Sequence, residues 1–357
     1  MIRPKRPLRP NRRAFMGGSA AAAGITLLPT KGYSAGKLNF YNWDTYIGET
    51  TLDDFTKATG IEVQYDLYAD NDELFAKLKN GNPGYDLIIP SSDYVERMII
   101  ADMLAELDQS KIPNIKNIDP VFMDAAFDPG RKYSLAYMWG TIGIGYRKSA
   151  VEGVPDSWSH LYTSDRYAGR VALLGDGQNV LGSALKLMGK SLNDWTDENI
   201  AAAEAMVIEQ KPNIAAFAPD NGQDLLLSGE VDIVMEWNGD IIQVMAEDDD
   251  LGFVVPKEGG LLWQDCMCIP KGGPNPDSAY AMIDFILGAE AGKNIAEFIF
   301  YATPNAAAKA LTDDKYKGNP AIFPSDDVLK VCESAKFPGQ EIVQKIDAAW
   351  TRVKAAG

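Results

Sequence analysis

The sequence is poor in the residues that build metal centres and disulfide frameworks. Its 357 residues include three cysteines and a single histidine, His160. There is no CxxC pair, and Cys266 and Cys268 lie two apart on a predicted strand, where their side chains face the same way and are badly placed to bond to each other. With so few ligating groups, the sequence predicts no zinc site and no disulfide scaffold, and we expect no metal and no other cofactor.

Positive charge is also scarce. Lys and Arg number 34 against 50 Asp and Glu, which gives a formal net charge of −16. Seven of the basic residues lie in the first 35 positions, where there is no acid, so the remainder of the chain carries −23 rather than −16. A surface this acidic disfavours nucleic acid and anionic membranes as partners and is compatible with a cationic ligand.

Long apolar runs are missing as well. The apolar stretch at residues 17–28 is shorter than the ~20 residues that a membrane span needs, so the mature chain is not expected to span a membrane. This stretch follows Asn11-Arg12-Arg13-Ala14-Phe15-Met16, which resembles a twin-arginine export motif, and Ala35 fits as the last residue before cleavage. Residues 1–35 are therefore predicted to be a twin-arginine signal peptide that sends the protein to the periplasm.

What the sequence does contain is a regular alternation of strand and helix patterns. Strand patterns at 38–42, 61–68 and 85–89 alternate with helices that begin at Thr51, at Asn71 and after Pro90. After a β-rich run at 133–146, the alternation repeats with strands at 170–174, 213–217, 231–236 and 252–255. A β-α-β-α-β order implies parallel, doubly wound sheets with right-handed crossovers.

The length of the chain exceeds what one small core accommodates, so two lobes are expected. Gly140, Gly143 and Gly145 interrupt the β-rich run, and we interpret this run as the crossing into the second lobe. The sequence thus predicts an α/β protein with two doubly wound lobes joined by a hinge. Residues 36–140 plus 266–308 form the first lobe, and residues 141–265 plus 309–357, mostly helical at the C-terminus, form the second.

Strand ends and crossings carry a recurring chemistry. Trp237 directly follows the strand at 231–236, and Asp240 lies three residues further on. Trp263 and Asp265 are two apart on a predicted strand, so their side chains face the same side. In open α/β sheets, ligands bind outside the carboxyl ends of the strands. The candidate residues at such positions are Trp43, Asp44, Tyr46, Ser91, Asp93, Asp176, Trp237, Asp240, Trp263 and Asp265.

Each acid also has an ordinary structural explanation. Asp93 could stabilise the amino end of its helix, Asp44 could cap a turn, and Asp176 could be a turn residue between two glycines. Recurrence in both lobes favours a binding site instead. Rings can cover the methylenes of an elongated alkyl amine while carboxylates take its ammonium ends, and each cation–ring contact contributes about 0.5–2 kcal/mol.

Five sequence blocks, in this order along the chain, carry a resemblance to a known family. They are Phe40-Tyr41-Asn42-Trp43, Tyr85-Asp86-Leu87-Ile88-Ile89-Pro90-Ser91, Trp237-Asn238-Gly239, Gly259-Gly260-Leu261-Leu262-Trp263-Gln264-Asp265 and Tyr301-Ala302-Thr303-Pro304-Asn305. The blocks resemble the spermidine/putrescine-binding proteins, the periplasmic receptors of polyamine ABC transporters, over nearly the whole mature chain.

The resemblance implies a type II periplasmic-binding-protein-like fold that closes on its ligand. It implies an aromatic box of Trp43, Tyr46, Trp237, Trp263 and Tyr301. Asp265 would be the main ammonium partner, with Ser91 and Asp176 alongside. The implied partners are a small cationic amine, putrescine or spermidine, and an inner-membrane ABC permease. The receptor itself is expected to be a monomer without catalytic residues.

The sequence departs from the family pattern at several positions. Asn179 stands where spermidine binders carry a Glu, and Asp93 stands where a Tyr or Ser is usual. Asp240 resembles an acid of putrescine binders, whereas Trp263 resembles the spermidine type. Gln340 is a candidate for a glutamine that the family carries near the C-terminus. The mixed pattern leaves the preferred amine open.

Three other functions compete with that of a polyamine receptor. A receptor for another cationic small molecule, such as an amino sugar or an opine-like solute, is the main alternative. Paired carboxylates could serve an enzyme, but no Ser-His or Cys-His pairing is indicated and His160 has no evident partner. A ferric-ion receptor would resemble chains with adjacent tyrosines, which this sequence lacks.

Overall fold

The computed structural model describes residues 36–356, so the predicted signal peptide at 1–35 lies outside the described residues. The strands in this range are β1 (Lys37–Trp43), β2 (Glu62–Tyr68), β3 (Leu87–Ile88), β4 (Ser134–Arg147), β5 (Val171–Leu174), β6 (Ile214–Ala218), β7 (Ile233–Trp237), β8 (Leu251–Val254), β9 (Leu261–Cys268) and β10 (Glu333–Ser334).

The helices follow the predicted alternation. They are α1 (Thr51–Thr59), α2 (Asn71–Lys79), α3 (Ser92–Ile100), α4 (Ser159–Tyr162), α5 (Gly177–Leu187), α6 (Asp197–Gln210), α7 (Gly222–Leu227), α8 (Asn238–Met245), α9 (Pro276–Ile286), α10 (Ala289–Ile299), α11 (Ala306–Leu311), α12 (Asp314–Lys317), α13 (Asp326–Leu329) and α14 (Gln340–Ala355), with short 3-10 helices at Gln109–Lys111, Pro113–Asn117, Pro120–Phe122 and Lys211–Asn213.

Two groups of parallel strands flank two antiparallel strands. The strand order is β2-β1-β3-β9-β4-β7-β5-β6, with β8 on β4 and β10 on β9. β1 is parallel to β2 and β3 in one half, and β5 is parallel to β6 and β7 in the other. β9 is antiparallel to both β3 and β4. The predicted α/β class with doubly wound halves is confirmed, and one curled sheet runs through both halves.

β4 is a single long strand that connects the two halves. Residues Ser134 to Ile142 pair with β9, and residues from Ile142 onward pair with β7. The three glycines in it do not interrupt the strand, contrary to the expectation from the sequence, and each of them admits a close neighbour. A Cβ at Gly140 would lie 2.3 Å from Asn238 Oδ1, and one at Gly143 would lie 2.6 Å from the Val254 carbonyl oxygen. The predicted lobe boundaries at 140/141 and 265/266 fall inside β4 and β9 and stay predictions.

Some local predictions were wrong. The strand expected at 85–89 is only Leu87–Ile88, since Gly84 takes a φ of 123° before it and Pro90 follows soon after it. The C-terminal part contains β10, a two-residue pairing too short to give a sequence pattern. The alternation at 231–236 suggested a one-sided strand, whereas Val234 and Glu236 are as buried as Ile233 and Met235 because helices cover both faces.

One face of β9 packs into a buried cluster, and the other carries residues that line the cleft described below. Cys266 and Cys268 are free and buried in the cluster with Tyr41, Leu74 and Met98, so the expectation that they do not bond to each other is confirmed. Trp263 and Asp265 point to the other side of the strand. No helix within residues 36–356 is long and apolar enough to cross a bilayer.

Candidate functional site

A cleft with two adjoining chambers lies where strand ends of both halves meet. The inner chamber, of about 40 Å³, is lined by Trp43, Asp44, Tyr46, Ser91, Asp220, Trp237, Asp240, Trp263, Asp265 and Tyr301. The outer chamber, of about 260 Å³, shares Trp43, Ser91, Trp237 and Trp263 with the inner one and is also lined by Asp93 and Asp176. The structure therefore places all eleven predicted site residues around one continuous cleft, nine of them in the inner chamber.

Aromatic rings form the walls of the inner chamber. Trp263 contacts Trp237 and Tyr301 edge to face, with ring centroids 5.6 and 5.0 Å apart. Tyr46 meets Tyr301 edge to face at 5.3 Å. Trp43 is fixed by a 2.9 Å hydrogen bond from Nε1 to the carbonyl of Ile89. The rings are thus held by one another and by the backbone, and their faces and edges surround the space between the acids.

The Trp237-Asn238-Gly239 block builds one corner of this box. Asn238 accepts a 3.1 Å hydrogen bond from the backbone N–H of Thr141 on β4 and donates one of 2.8 Å to the Ala321 carbonyl. Gly239 leaves room for Tyr301, because a Cβ there would lie 2.4 Å from Tyr301 Cε1. In this block, Trp237 therefore lines the chamber, Asn238 connects it to β4 by a hydrogen bond, and Gly239 makes room for the tyrosine ring.

Asp265 is the most enclosed acid of the inner chamber. It is 5 % exposed and accepts a 2.6 Å hydrogen bond from Ser91 Oγ, which itself accepts one of 3.0 Å from the Asn71 side-chain amide. Burial raises the pKa of Asp265 to about 7, although Ser91 and the nearby Tyr46 hydroxyl lower it. An ammonium group would relieve this burial penalty, because it would give the carboxylate an opposite charge.

Asp240 and Asp220 face the chamber from the other half of the sheet. Asp240 is buried in the first turn of α8, and Asp220 follows β6. Burial raises the pKa of Asp240 to about 6 and that of Asp220 to about 8, and the Asp220 shift also includes repulsion from Asp240 and Asp44. Asp44 is exposed and accepts a 2.8 Å hydrogen bond from the Thr45 N–H, so its turn-capping role is present as well.

The two acids of the outer chamber also serve their helices. Asp176 is the N-cap of α5 and accepts a 2.7 Å hydrogen bond from the Gln178 N–H and another of 2.7 Å from the Asn179 side-chain amide. Asp93 lies in the first turn of α3. Desolvation inside the cleft raises the pKa of Asp176 to about 6 and that of Asp93 to about 7, even though the Asp176 side chain is still reached by water, and Asp176 adds to the Asp93 shift.

The charge balance of the cleft calls for cations. Within the described chain, the inner chamber has four aspartates and no Lys, Arg or His in its lining. The outer chamber is also lined by Asp70, Asp72, Asp93, Asp176 and Asp347. Among the described residues, the basic side chains in its lining are those of Arg97 and Lys354. Acids in a water-poor cleft without matching bases favour a positively charged ligand.

Sequence reasoning missed some lining residues. Asp220 follows a strand and precedes Asn221-Gly222, so the strand-end rule that found Asp176 would have found it as well. Phe337 and Asp347 reach the outer chamber from the C-terminal segment, whereas the predicted Gln340 is exposed and does not line either chamber. No local pattern could have indicated these contacts, because that segment reaches the cleft only through the tertiary fold.

Fold and cleft together define a solute receptor of the periplasmic-binding-protein class. The family model for bacterial extracellular solute-binding protein matches residues 50–324. The chain belongs to this family, and within it to the group formed with the spermidine/putrescine-binding periplasmic proteins described next.

Individual relatives match over most of their length. The spermidine/putrescine-binding periplasmic protein of Escherichia coli is 37 % identical over 295 residues, which is 82 % of this chain and 84 % of the relative. The putrescine-binding periplasmic protein PotF of the same organism is 32 % identical over 89 % of this chain and 91 % of its own. A solved structure, a putative spermidine/putrescine ABC transporter from Listeria monocytogenes, superposes with a TM-score of 0.86 at 32 % identity and covers 89 % of this chain and 98 % of its own. These relatives are binding proteins of transport systems, so the prediction that the chain is not an enzyme is confirmed.

Proposed function

We propose that the protein is a periplasmic receptor that binds a polyamine, putrescine or spermidine, in the interlobe cleft and delivers it to an inner-membrane ABC permease. The observation that carries the proposal is the inner chamber: among residues 36–356, its lining has four aspartates between aromatic walls and no basic residue. Methylene groups would pack on the rings of Trp43, Trp237 and Trp263, and ammonium groups would meet the carboxylates. The names of the relatives support the same ligand class.

The carboxylates would come from both halves of the sheet. Asp265 lies on β9, and Asp240 lies in the first turn of α8, which follows β7. A diamine could therefore pair one end with each half, and a longer amine could extend into the outer chamber toward Asp93 and Asp176. Because the ligand would touch both halves at once, it would favour the closed arrangement through its better contacts there.

The hinge of this closure is proposed to lie where β4 and β9 run side by side. These strands connect the two halves and pair with each other from Ser134–Cys268 to Ile142–Leu261. We also propose that residues 1–35 direct export by the twin-arginine route and that the mature receptor is a monomer. Cell fractionation with a host that lacks the twin-arginine translocase tests the route, and light scattering of the purified protein tests the monomer.

Calorimetric titration of the mature protein tests the ligand assignment. Putrescine and spermidine are expected to bind with one site each, whereas 1,4-butanediol, which matches the putrescine chain without its charges, is expected not to bind. Absence of heat and of thermal stabilisation with both amines would reject the assignment. Native mass spectrometry of protein purified from its source would then identify a different cationic solute, such as an amino sugar or an opine-like compound.

The substitution Gly239→Ala tests whether the aromatic box holds the ligand. The new Cβ would lie 2.4–2.5 Å from ring atoms of Tyr301, which is 4 % exposed and confined by Tyr46 and Trp263. The ring must move, so we expect polyamine affinity to fall about tenfold and stability to fall by about 1–3 kcal/mol, the usual cost of overpacking. Calorimetry and thermal melting measure the two effects.

Gly182→Ala is the matched control. Gly182 lies inside α5, and a Cβ there would have its nearest neighbour at 3.6 Å, an ordinary contact. This variant should bind polyamines like the wild type and gain about 0.5–1 kcal/mol of stability from its better helix propensity. Equal polyamine affinity in Gly239→Ala and the wild type would show that Tyr301 does not contribute to binding.

A further inference from the structure

A buried carboxyl group lies directly behind the inner chamber, outside its lining. Glu236 is 0 % exposed and is the penultimate residue of β7, just before Trp237. Its Oε1 accepts a 2.9 Å hydrogen bond from the Trp237 N–H, and its buried Oε2 lies near the Gly222 N–H without a well-aligned hydrogen bond among residues 36–356. A fully buried acid near a strand end with so little support for its charge needs an explanation beyond packing.

The surroundings of Glu236 leave room for the carboxyl group and for little else. A Cβ at Gly222, the first residue of α7, would lie 2.2 Å from Glu236 Oε2. On β4, the residue opposite Glu236 is Gly143. The absence of a side chain at Gly222 thus admits the carboxyl group, which is fixed close to the acids of the chamber.

The charged groups that face Glu236 are acidic on every side. Asp240 acts on it from α8 and Asp220 from the loop before α7, and the buried Tyr301 hydroxyl is also within electrostatic reach. Asp224 in the first turn of α7 and Asp44 across the cleft act on Asp220 and Asp240 in turn. On the neighbouring strand β4, the residue at this level is Gly143, which adds no charge.

The surroundings of this group favour its protonated form in the ligand-free protein. Burial, followed by Asp240 and Asp220, raises the pKa of Glu236 well above its ordinary value, although the N–H groups of Trp237 and Gly222 lower it. A cation placed beside Asp220 and Asp240 would reverse this condition, because it would be the first positive charge within reach of the three carboxyl groups. It would favour the carboxylate form of Glu236 and thereby displace the proton.

We propose that Glu236 is a specificity-determining residue that acts through Asp220 and Asp240: it holds a proton in the empty cleft and gives it up to solvent when an ammonium group binds beside these aspartates. The inference rests on the proposed polyamine function and goes beyond it, since it makes ligand uptake an exchange of a cation for a proton. The O–H bond of the carboxylic acid breaks, the electron pair stays on the carboxylate, and the proton passes to the buffer. The exchange favours a full positive charge at this end of the ligand over a neutral polar group.

Proton counting with putrescine tests the proposal. Calorimetric titrations in buffers of different ionisation heat give the number of protons released per ligand, and repeating them between pH 6 and pH 9 gives the pH profile of affinity. The variant Glu236→Gln keeps the shape of the side chain and carries no titrating proton. On binding putrescine, the variant should release up to about one proton fewer than the wild type. Its putrescine affinity should therefore rise less steeply with pH, and the two slopes should differ by as much as about tenfold in affinity per pH unit.

The matched control is Glu62→Gln, which removes an exposed acid at the start of β2. It should release as many protons as the wild type. If the difference in putrescine affinity between the wild type and Glu236→Gln grows as pH rises, the exchange is supported. A merely structural role would shift affinity equally at all pH values. Equal proton numbers and parallel pH profiles in the two proteins would overturn it.

Infrared difference spectroscopy of the wild type gives a readout that needs no variant. Putrescine binding should remove a carbonyl band of a protonated carboxylic acid, and in Glu236→Gln the lost band should be smaller. If no such band is lost in the wild type, or if the same band is lost in both, the inference is wrong. The two proposals can fail separately. Absence of binding of both putrescine and spermidine to the wild type rejects the proposed function, whereas binding of either amine without a Glu236-dependent proton rejects the exchange alone.

Discussion

Asp265→Asn is expected to abolish tight binding of putrescine and spermidine while leaving the protein folded. The Asp265 carboxylate is nearly enclosed and is fixed by Ser91, and the chamber it faces is lined, within the described part of the chain, by acids and by no bases. Removing one partner of a buried, hydrogen-bonded charge pair costs about 2–5 kcal/mol. At 1.4 kcal/mol per factor of ten, we expect affinity to fall by about 30-fold to about 4,000-fold.

The asparagine should keep the architecture of the site. Its side-chain oxygen can still accept the hydrogen bond from Ser91 Oγ, and the backbone pairing between Ser91 and Asp265 does not involve the side chain. Because burial raises the pKa of Asp265 to about 7, the neutral amide removes a group that is costly to ionise, and the melting temperature at pH 8 should not fall. Calorimetry and thermal melting separate the loss of binding from a loss of fold.

Asp53→Asn is the control for this result. Asp53 is an exposed acid in the first turn of α1, on the same half of the sheet as β1. It carries the same change of charge and should bind both amines like the wild type. If Asp265→Asn retained wild-type affinity for both amines, the ammonium contact assigned to Asp265 would be wrong.

Local patterns were enough to find the strand-end residues of the cleft. Trp237 and Asp240 flank an Asn-Gly turn after a strand, and Trp263 and Asp265 are two apart on β9, so periodicity and turn chemistry fixed which way they face. The parallel topology then brings these residues together, because the carboxyl ends of parallel strands meet at one edge of a sheet. The parallel order β2-β1-β3 in one half followed from the same alternation.

The positions of Glu236 and Phe337 could not be predicted from local sequence patterns. The alternation of Val231, Ile233 and Met235 predicted that Glu236 would lie on a polar face, but β7 is covered on both sides, and only the assembled fold reveals this. Phe337 reaches the outer chamber from a segment whose N–H at this position bonds to Glu96 on α3, 241 residues away. Burial on a second face and contacts over that separation are tertiary properties, so they leave no periodic signal.

The ligand-free mature protein is expected to lose stability as pH rises from about 5 to about 8. Burial raises the pKa of five cleft acids: to about 6 for Asp176 and Asp240, about 7 for Asp93 and Asp265, and about 8 for Asp220. Unfolding returns them to an ordinary value near 4, so above that value the folded state binds more protons than the unfolded one. By linkage, the stabilisation is complete below pH 4 and is lost as pH rises through the folded-state values.

The size of the effect follows from the same numbers. Each pKa unit of such a shift corresponds to about 1.4 kcal/mol, and each kcal/mol moves the melting temperature by about 2–4 °C in a protein of this kind. Asp176, which water still reaches, contributes least. Even if only a fraction of the shifts is realised, the melting temperature should fall by about 5–10 °C between pH 5 and pH 8. The net charge of −23 on residues 36–357 adds repulsion in the same direction.

Thermal melting across this pH range, with and without putrescine, checks the expectation. Saturating putrescine should flatten the decline, because its ammonium groups stabilise the ionised carboxylates in the folded state alone. Asp265→Asn should decline less steeply than the wild type without ligand, since one of the raised groups no longer titrates. A melting temperature that stays level or rises between pH 5 and pH 8 in the ligand-free protein would mean that the cleft acids are already ionised there. In that case, the acids would be hydrated rather than held in a dry cleft that a polyamine completes.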